Sequence, residues 1–157
     1  MSVQATMSVH INASPERVWP WIADITRHVS WSPKPYSVNH VGGEPNAVGS
    51  TYRSIGFVPP NDTEHANDVT ITASEAMRHF ALEARDANGV YHNTYDLAAN
   101  AGGTDVTYHI AFPRMKGAAA ILLPILFPLV GKADLRKRLQ LLKQRVETEG
   151  CSAARRG

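Results

Sequence analysis

The strongest constraint on the fold is the order of strand and helix signals at the start of the chain. Met7, Val9 and Ile11 alternate with polar neighbours, which predicts a half-buried strand. Ser14 is a good helix N-cap, and Pro15 fits the first helical position, where no backbone donor is needed. A strand that passes this quickly into a capped helix predicts a fold in which helix and sheet are mixed.

A second short helix and a run of strands follow. Asp24 can cap a helix that ends near Trp31, because Ser32 precedes Pro33 and a residue before proline avoids helical geometry. Turn residues then separate alternating segments as far as residue 113. The predicted strands are residues 36–41, 50–57, 67–74, 78–85, 90–97 and 104–112.

One turn also predicts a strand register. Asn88-Gly89 between alternating runs is a strong signal for a two-residue hairpin, because both residues tolerate positive φ. That turn sets Leu82 opposite Tyr95 and Phe80 opposite Leu97. The apolar phases of these two strands and of the next one then face the same side of the sheet.

The C-terminal segment predicts one long amphipathic helix. Leu135, Leu139, Leu142 and Val146 form one apolar stripe, and Gly150 is a plausible stop. Residues 1–149 are therefore interpreted as a single domain, and residues 150–157 as a disordered tail.

Three local patterns resemble the START-like (SRPBCC) polyketide cyclase/dehydrase family. They are residues 13–19 (ASPERVW) with Asp24 and Trp31, residues 102–107 (GGTDVT) and residues 139–147 (LQLLKQRVE). The resemblance implies an α+β helix-grip fold. In it, a curved antiparallel seven-stranded sheet wraps around a long C-terminal helix, two short helices follow the first strand, and a ligand cavity lies inside. These motifs are structural, and no catalytic motif carries over from them.

The predicted inner face of the sheet carries polar groups. Tyr91, Asn93, Tyr95 and Tyr108 share their phase with apolar residues such as Ile110. A dry core disfavours these side chains because each buried hydroxyl or amide needs a partner. The pattern fits an apolar pocket with a few orienting polar groups. Alternatively, the tyrosines lie at strand ends with their hydroxyls in water.

The sequence does not decide which set of alternating residues in the strand at residues 50–57 faces inward. If Arg53 and Phe57 point inward, Arg53 is a cavity cation that could hold a carboxylate, phosphate or enolate oxygen. If Tyr52, Ser54 and Gly56 point inward instead, Arg53 is exposed, which is the simpler interpretation.

Residues 118–130 form the longest apolar run and contain two prolines. The run is too short for a membrane span of roughly 20 residues. It is interpreted as the buried start of the long helix, or as a surface that serves as a lid, a homodimer contact or a transient membrane contact, and both interpretations can hold at once. Leu122 and Leu126 are its candidate ligand-binding residues.

Charge and residue usage exclude several functions. The net charge is only +2, although the segment from Lys132 onward carries eight basic and three acidic residues. The strands lack the exposed basic and aromatic pattern of a nucleic-acid binder. The seven histidines lack metal-ligand spacing and are interpreted as surface residues, so no metal or cofactor is expected. A single cysteine, Cys151, and no recognisable signal segment favour a cytoplasmic protein.

The leading hypothesis is a protein that binds a small lipophilic molecule, such as a polyketide, lipid or isoprenoid, in an internal cavity. The alternative is a cofactor-free polyketide cyclase, aromatase or dehydratase that acts in the same cavity. A third hypothesis is an interaction module that uses the apolar run as its contact surface.

Overall fold

A computed structural model describes residues 3–58, 63–114 and 116–156 of the 157-residue chain. In these ranges seven strands form one antiparallel sheet in the spatial order β1-β7-β6-β5-β4-β3-β2. The predicted helix-grip architecture is confirmed, and β1 and β2 are the two edges of the sheet. The strands are Gln4–Ile11 (β1), Tyr36–Gly42 (β2), Thr51–Val58 (β3), Thr63–Glu75 (β4), His79–Asp86 (β5), Gly89–Asn100 (β6) and Gly103–Ala111 (β7).

The helices cover one face of this sheet. Helix α1 (Pro15–Ala23) and a 3-10 helix (Ile25–Trp31) connect the two edge strands. Asp24 caps the 3-10 helix as predicted, since its Oδ1 accepts from the Thr26 amide at 3.0 Å. Ser14 occupies the N-cap position of α1, but its side chain makes no capping hydrogen bond in the described part of the chain. The remaining helices are α2 (Ala118–Leu126), a π-helical turn (Phe127–Gly131) and α3 (Lys132–Ala154).

The β5–β6 hairpin corrects the predicted register. Asp86 pairs with Gly89, so the two loop residues are Ala87 and Asn88 rather than Asn88 and Gly89. The Asp86 carboxylate accepts from the amides of Asn88 at 2.7 Å and Gly89 at 3.1 Å, which moves the turn by one residue. The pairing shifts by two residues, and Phe80 lies opposite Tyr95. Because side chains alternate with a period of two, the predicted inward phase is preserved.

Helix α3 packs its predicted apolar stripe against the sheet and the short helices. Leu139, Leu142 and Val146 are buried there, in one core cluster with Ile11 and Trp31. Burial of three such side chains contributes roughly 1.5–3 kcal/mol each.

Hydrogen bonds fix the C-terminal half of α3. Lys143 donates to the His10 carbonyl at 2.7 Å, Glu147 accepts from the Asn12 amide at 2.9 Å, and Glu149 accepts from the Trp21 indole at 2.8 Å. All three bonds join the helix to β1, to the residue after it, or to α1.

The end of α3 differs from the sequence expectation. The helix continues through Gly150 to Ala154, so Gly150 is not the stop and residues 152–154 are helical rather than disordered. The guanidinium of Arg17 occupies the space that a Cβ at position 150 would need. The glycine is therefore required for a close approach between α1 and α3, and not for a C-cap.

The apolar run forms α2 and the π-helical turn before α3. Phe127 is buried, whereas Ile121, Leu122 and Ile125 are exposed. The ring of Phe127 packs directly onto Gly131, where a Cβ would clash. This glycine allows the chain to turn from α2 into α3.

Candidate ligand cavity

A cavity of about 270 Å³ lies between the sheet and the helices, toward the β2 edge. Its walls are the inward faces of β2 to β6, the 3-10 helix with the segment that follows it, and one residue of α3. The apolar part of the lining includes Ile25, Val38, Val69, Leu82 and Ala84. The lining is therefore largely apolar, as a site for a lipophilic molecule requires.

Small residues on β3 explain why this region stays unfilled. The inward phase of β3 is Tyr52, Ser54 and Gly56. Tyr52 is buried in the core, and its hydroxyl donates to Asn46 Oδ1 at 3.0 Å. Ser54 and Gly56, further along the same face, line the cavity with little or no side chain. The inward residues thus shrink along the strand, and the core gives way to a hollow.

The predicted polar residues separate into a lining pair and a supporting residue. Asn93 and Tyr95 line the cavity. Tyr108 lies behind them: its ring stacks on Tyr95 with ring centres 4.6 Å apart, and its hydroxyl donates to Asn93 Oδ1 at 2.6 Å. Because that bond occupies the amide oxygen of Asn93, the amide nitrogen remains as the donor of this side chain. Tyr108 therefore orients Asn93 rather than facing the cavity itself.

Three other predicted site residues lie elsewhere. Tyr91 is not in the lining, since its hydroxyl donates to Asp86 Oδ2 at 3.2 Å and its ring packs on Phe112. Ile110 packs against the hydrophobic core. Leu122 is exposed, because α2 turns this side away from the core.

Arg53 also lies outside the cavity. It points to the outer face of the sheet, with Nη1 at 2.8 Å from Asp68 Oδ1. The inward interpretation of Arg53 is thus wrong, because β3 places small residues rather than its apolar phase toward the hollow. Phe57 shares the phase of Arg53, and the side chains of Phe57 and Leu126 lie outside the described residues.

Arg138 of α3 is the main cavity residue that the sequence interpretation missed. It lines the cavity, and its guanidinium is enclosed, with Cζ 4.9 Å from the centre of the Trp31 ring. Its Nε atom is buried and has no hydrogen-bond partner within the described ranges. The sequence does indicate an inward position for Arg138, because it stands three residues after Leu135 and four before Leu142, on the apolar stripe of the helix.

His28 was predicted on the surface but is buried beside the cavity. Its Nε2–H donates to the Ile22 carbonyl at 2.7 Å, and its ring lies 4.5 Å from Trp31 and 5.8 Å from Tyr95, centre to centre. Burial, assisted by the charge of Arg138, lowers the pKa of His28 to about 3, against the opposing effect of the Ile22 bond. The imidazole is therefore neutral at physiological pH.

The phenols around Arg138 are also neutral. Burial raises the pKa of Tyr36, Tyr95 and Tyr108. The positive charge of Arg138 acts in the opposite direction but is the smaller effect, so each phenol keeps its proton at neutral pH. None of them supplies a negative charge to the guanidinium.

The other ionisable residues of the lining are basic or histidine. Lys34 lines the cavity, and its Nζ lies 3.0 Å from Asp134 Oδ2. His65, another predicted surface histidine, lines the cavity from β4 and donates from Nε2 to Asp86 Oδ2 at 2.6 Å. The described lining contains no aspartate or glutamate. The cavity therefore offers donors and positive charge but no carboxylate base.

A family model described as polyketide cyclase / dehydrase and lipid transport matches residues 2–147. The chain belongs to this family. The match covers every strand and most of α3, and it confirms the resemblance carried by the three sequence motifs. The search of curated protein sequences gave no match.

Solved structures with low sequence identity share the fold. TTHA0849 from Thermus thermophilus aligns with a TM-score of 0.75 at 15% identity, over 94% of this chain and 99% of that chain. Ara h 8.0201 gives 0.70 at 14% identity, also over 94% and 99%. Ms6760 from Mycobacterium smegmatis gives 0.66 at 19% identity, over 93% and 92%. Family membership and the helix-grip fold together support a hydrophobic ligand-binding function.

Two further observations bear on the class of protein. In the part of the chain that the structure describes, no helix has the length and hydropathy needed to cross a bilayer. Within the same ranges, no three His, Cys, Asp or Glu side chains come together in a way that could hold a metal ion.

Proposed function

We propose that the protein binds a small lipophilic molecule in the cavity between its sheet and helices, within a single domain of residues 1–149. The observation that carries this proposal is the unfilled volume of about 270 Å³ beside Ser54 and Gly56. Apolar cavities of about 150 Å³ hold benzene. A volume nearly twice as large suits the ring system or chain of a small polyketide, lipid or isoprenoid.

Filling the cavity tests this proposal. Ser54→Leu adds a side chain to the lining, so binding of a naphthalene-sized probe should fall at least about tenfold while the fold persists. Ser37→Leu is the matched control, because Ser37 is exposed on the neighbouring strand β2. Isothermal titration of both variants measures the effect. Equal probe affinity in the two variants would reject the cavity as the binding site.

A cyclase or dehydratase activity in the same cavity is the second candidate. The guanidinium of Arg138 near three phenols favours it, because cations and hydroxyl donors stabilise enolate oxygens. Conversion of a poly-β-ketone by the purified protein, lost in Arg138→Met, would support the enzyme. Probe binding without any conversion would support the binding protein alone.

We also propose that α2 contacts an anionic membrane surface transiently. Ile121, Leu122 and Ile125 are exposed, and Lys116 and Lys132 flank the helix. Wild-type protein should float with vesicles that contain phosphatidylserine, and Ile125→Glu should not. A homodimer that Ile125→Glu dissociates, together with no flotation, would assign this surface to a second copy instead.

The proposed location is the cytoplasm. The support is chemical: Cys151 is exposed and unpaired, and such a thiol suits a reducing compartment. Fractionation of the source cells tests this proposal, and recovery of the protein outside the cytoplasm would contradict it.

A further inference from the structure

Arg138 poses an energetic problem that the proposed function alone does not solve. A guanidinium that is taken out of water costs free energy unless a partner compensates it. Here the side chain projects from the apolar stripe of α3 into the cavity, and its buried Nε finds no hydrogen-bond acceptor in the described ranges. A leucine or methionine at this position would fill the same stripe without that cost.

The surroundings of Arg138 compensate its charge only in part. None of the ion pairs among the described residues includes it, and Asp134, one turn earlier on α3, pairs with Lys34 instead. The face of Trp31 supplies a cation–π contact. Such a contact leaves the in-plane N–H donors to other partners: the Tyr36 hydroxyl accepts from the guanidinium, whereas Nε has no acceptor among the described residues.

Several other polar groups that face the cavity also present donors, beside amide and hydroxyl groups that can donate or accept. The amide oxygen of Asn93 is occupied by the Tyr108 hydroxyl, so its nitrogen is the group left to bind a ligand. The phenol of Tyr36 has a hydroxyl proton to donate, whereas the hydroxyl of Tyr95 donates to the oxygen of Tyr108. Lys34 adds donors at the rim, whereas the Nε2–H of His65 is already donated to Asp86; neither Asp86 nor Asp134, the partner of Lys34, is part of the lining.

We propose that Arg138 is the anchor for the carboxylate of a lipophilic acid, so that the ligand class is an aromatic or short-chain carboxylic acid. This inference rests on the proposed function and specifies the ligand of that same cavity. A carboxylate accepts two parallel N–H bonds from a guanidinium, and no other common side chain matches that geometry. The acid group lies at Arg138, and the apolar body of the ligand contacts Val38, Val69 and Leu82.

Paired probes with and without the charge test this assignment. Two acids, 2-naphthoate and decanoate, are compared by isothermal titration at pH 7.5 with their neutral amides, 2-naphthamide and decanamide. Wild-type protein should bind at least one acid about tenfold or more tightly than its amide, as a charge-assisted pair predicts. Arg138→Met should bind that acid and its amide within about twofold of each other.

Arg136→Met is the matched control for this comparison. Arg136 is exposed on the same helix, two residues earlier, so this variant removes the same charge without touching the cavity. It should keep the wild-type preference for the acid. An equal loss of preference in both variants would show a general effect of charge and would overturn the assignment of Arg138.

The remaining outcomes separate the two proposals. If the amides bind wild-type protein as tightly as the acids, the carboxylate anchor is rejected and the lipophilic cavity stands. If neither acids nor amides bind, the proposed function fails and the anchor fails with it. Should Arg138→Met bind no probe, Arg138→Lys replaces it: weaker acid preference with unchanged amide affinity supports the anchor, and full wild-type preference overturns it.

Discussion

Side chains alternate between the inner and outer faces at both ends of the sheet, but the interior is packed at one end and contains a cavity at the other. Toward β1 and β7, the inward residues are branched, such as Val9, Ile11 and Val106, and they are buried in one core cluster with residues of α3. Toward β2 and β3, the inward residues include Ser54 and Gly56, and the interior is a cavity. Residue size, rather than the hydrophobic pattern, decides which end of the fold is solid.

The largest expected contrast is between apolar truncations at the two ends. Leu142→Ala at the packed end should lower the free energy of unfolding by about 2–5 kcal/mol, because a fully buried side chain leaves a new void. Leu82→Ala in the cavity wall should cost at least about 1 kcal/mol less, since one side of this leucine already faces empty space. Urea unfolding at neutral pH measures both changes. Equal losses would contradict the division into a solid and a hollow end.

The next prediction uses pH to probe the boundary between the two ends, where His28 lies. The pKa of His28 is about 3 in the folded protein, below its ordinary value of about 6.5 in the unfolded chain. Between these values the unfolded chain binds more protons, so stability is full above pH 6.5 and falls as the pH drops. At pH 5 the loss from this residue should be about 2 kcal/mol relative to pH 7.5.

His28→Gln is the matched variant for this measurement. Glutamine can keep the donor to the Ile22 carbonyl but does not titrate. The variant should therefore lose the extra acid sensitivity, which urea unfolding at pH 5 and pH 7.5 can compare with wild type. The same pH dependence in both proteins would mean that His28 is accessible to protons in the folded state.

A charge at the hollow end should lower the stability of the empty protein. Arg138→Met removes an enclosed cation and keeps the length of the side chain, so it should raise the free energy of unfolding by about 1 kcal/mol. For a chain of this length that corresponds to roughly 2–4 °C in melting temperature. Arg136→Met, on the exposed side of α3, should change stability by less than about 0.5 kcal/mol. A marked loss of stability in Arg138→Met would indicate that its contact with Trp31 is mainly structural.

The smallest effect on stability is expected for the phenol that faces the cavity. Tyr95→Phe retains the ring that stacks on Tyr108, so stability should change by less than about 1 kcal/mol. Ligand affinity should fall several-fold if the hydroxyl contacts the ligand. Tyr91→Phe is the control, because Tyr91 bonds Asp86 outside the cavity lining. The assignment of Tyr95 fails if the two variants bind the probe equally well.

Sequence periodicity predicted which side chains face inward, because a register error of an even number of residues leaves the faces of a strand unchanged. The β5–β6 hairpin pairs two residues away from the predicted register, yet Phe80, Leu82, Asn93 and Tyr95 still face inward. An error of one residue would have reversed the faces, and the error of two did not.

The candidate site was less predictable, because the residues that line a cavity can be small or polar and then do not follow the apolar pattern of a packed core. The inward phase of β3 is its less apolar one, Ser54 and Gly56, so pattern alone could not choose between it and the phase of Arg53. The sequence predicted His28 on the surface and gave no role to Arg138. Only the three-dimensional arrangement shows that both line the cavity.

The hydrogen bonds and ion pairs that join α3 to the rest of the protein are unevenly distributed along the helix. Lys143, Glu147 and Glu149 fasten the last turns to β1 and α1, whereas a surface pair, Lys34 with Asp134, bridges the first turn and the cavity rim. A ligand that enters beside the first turn of α3 meets a solvated ion pair, whereas the hydrogen bonds of the last turns go to residues outside the cavity lining. Occupation of the interior therefore leaves those hydrogen bonds in place.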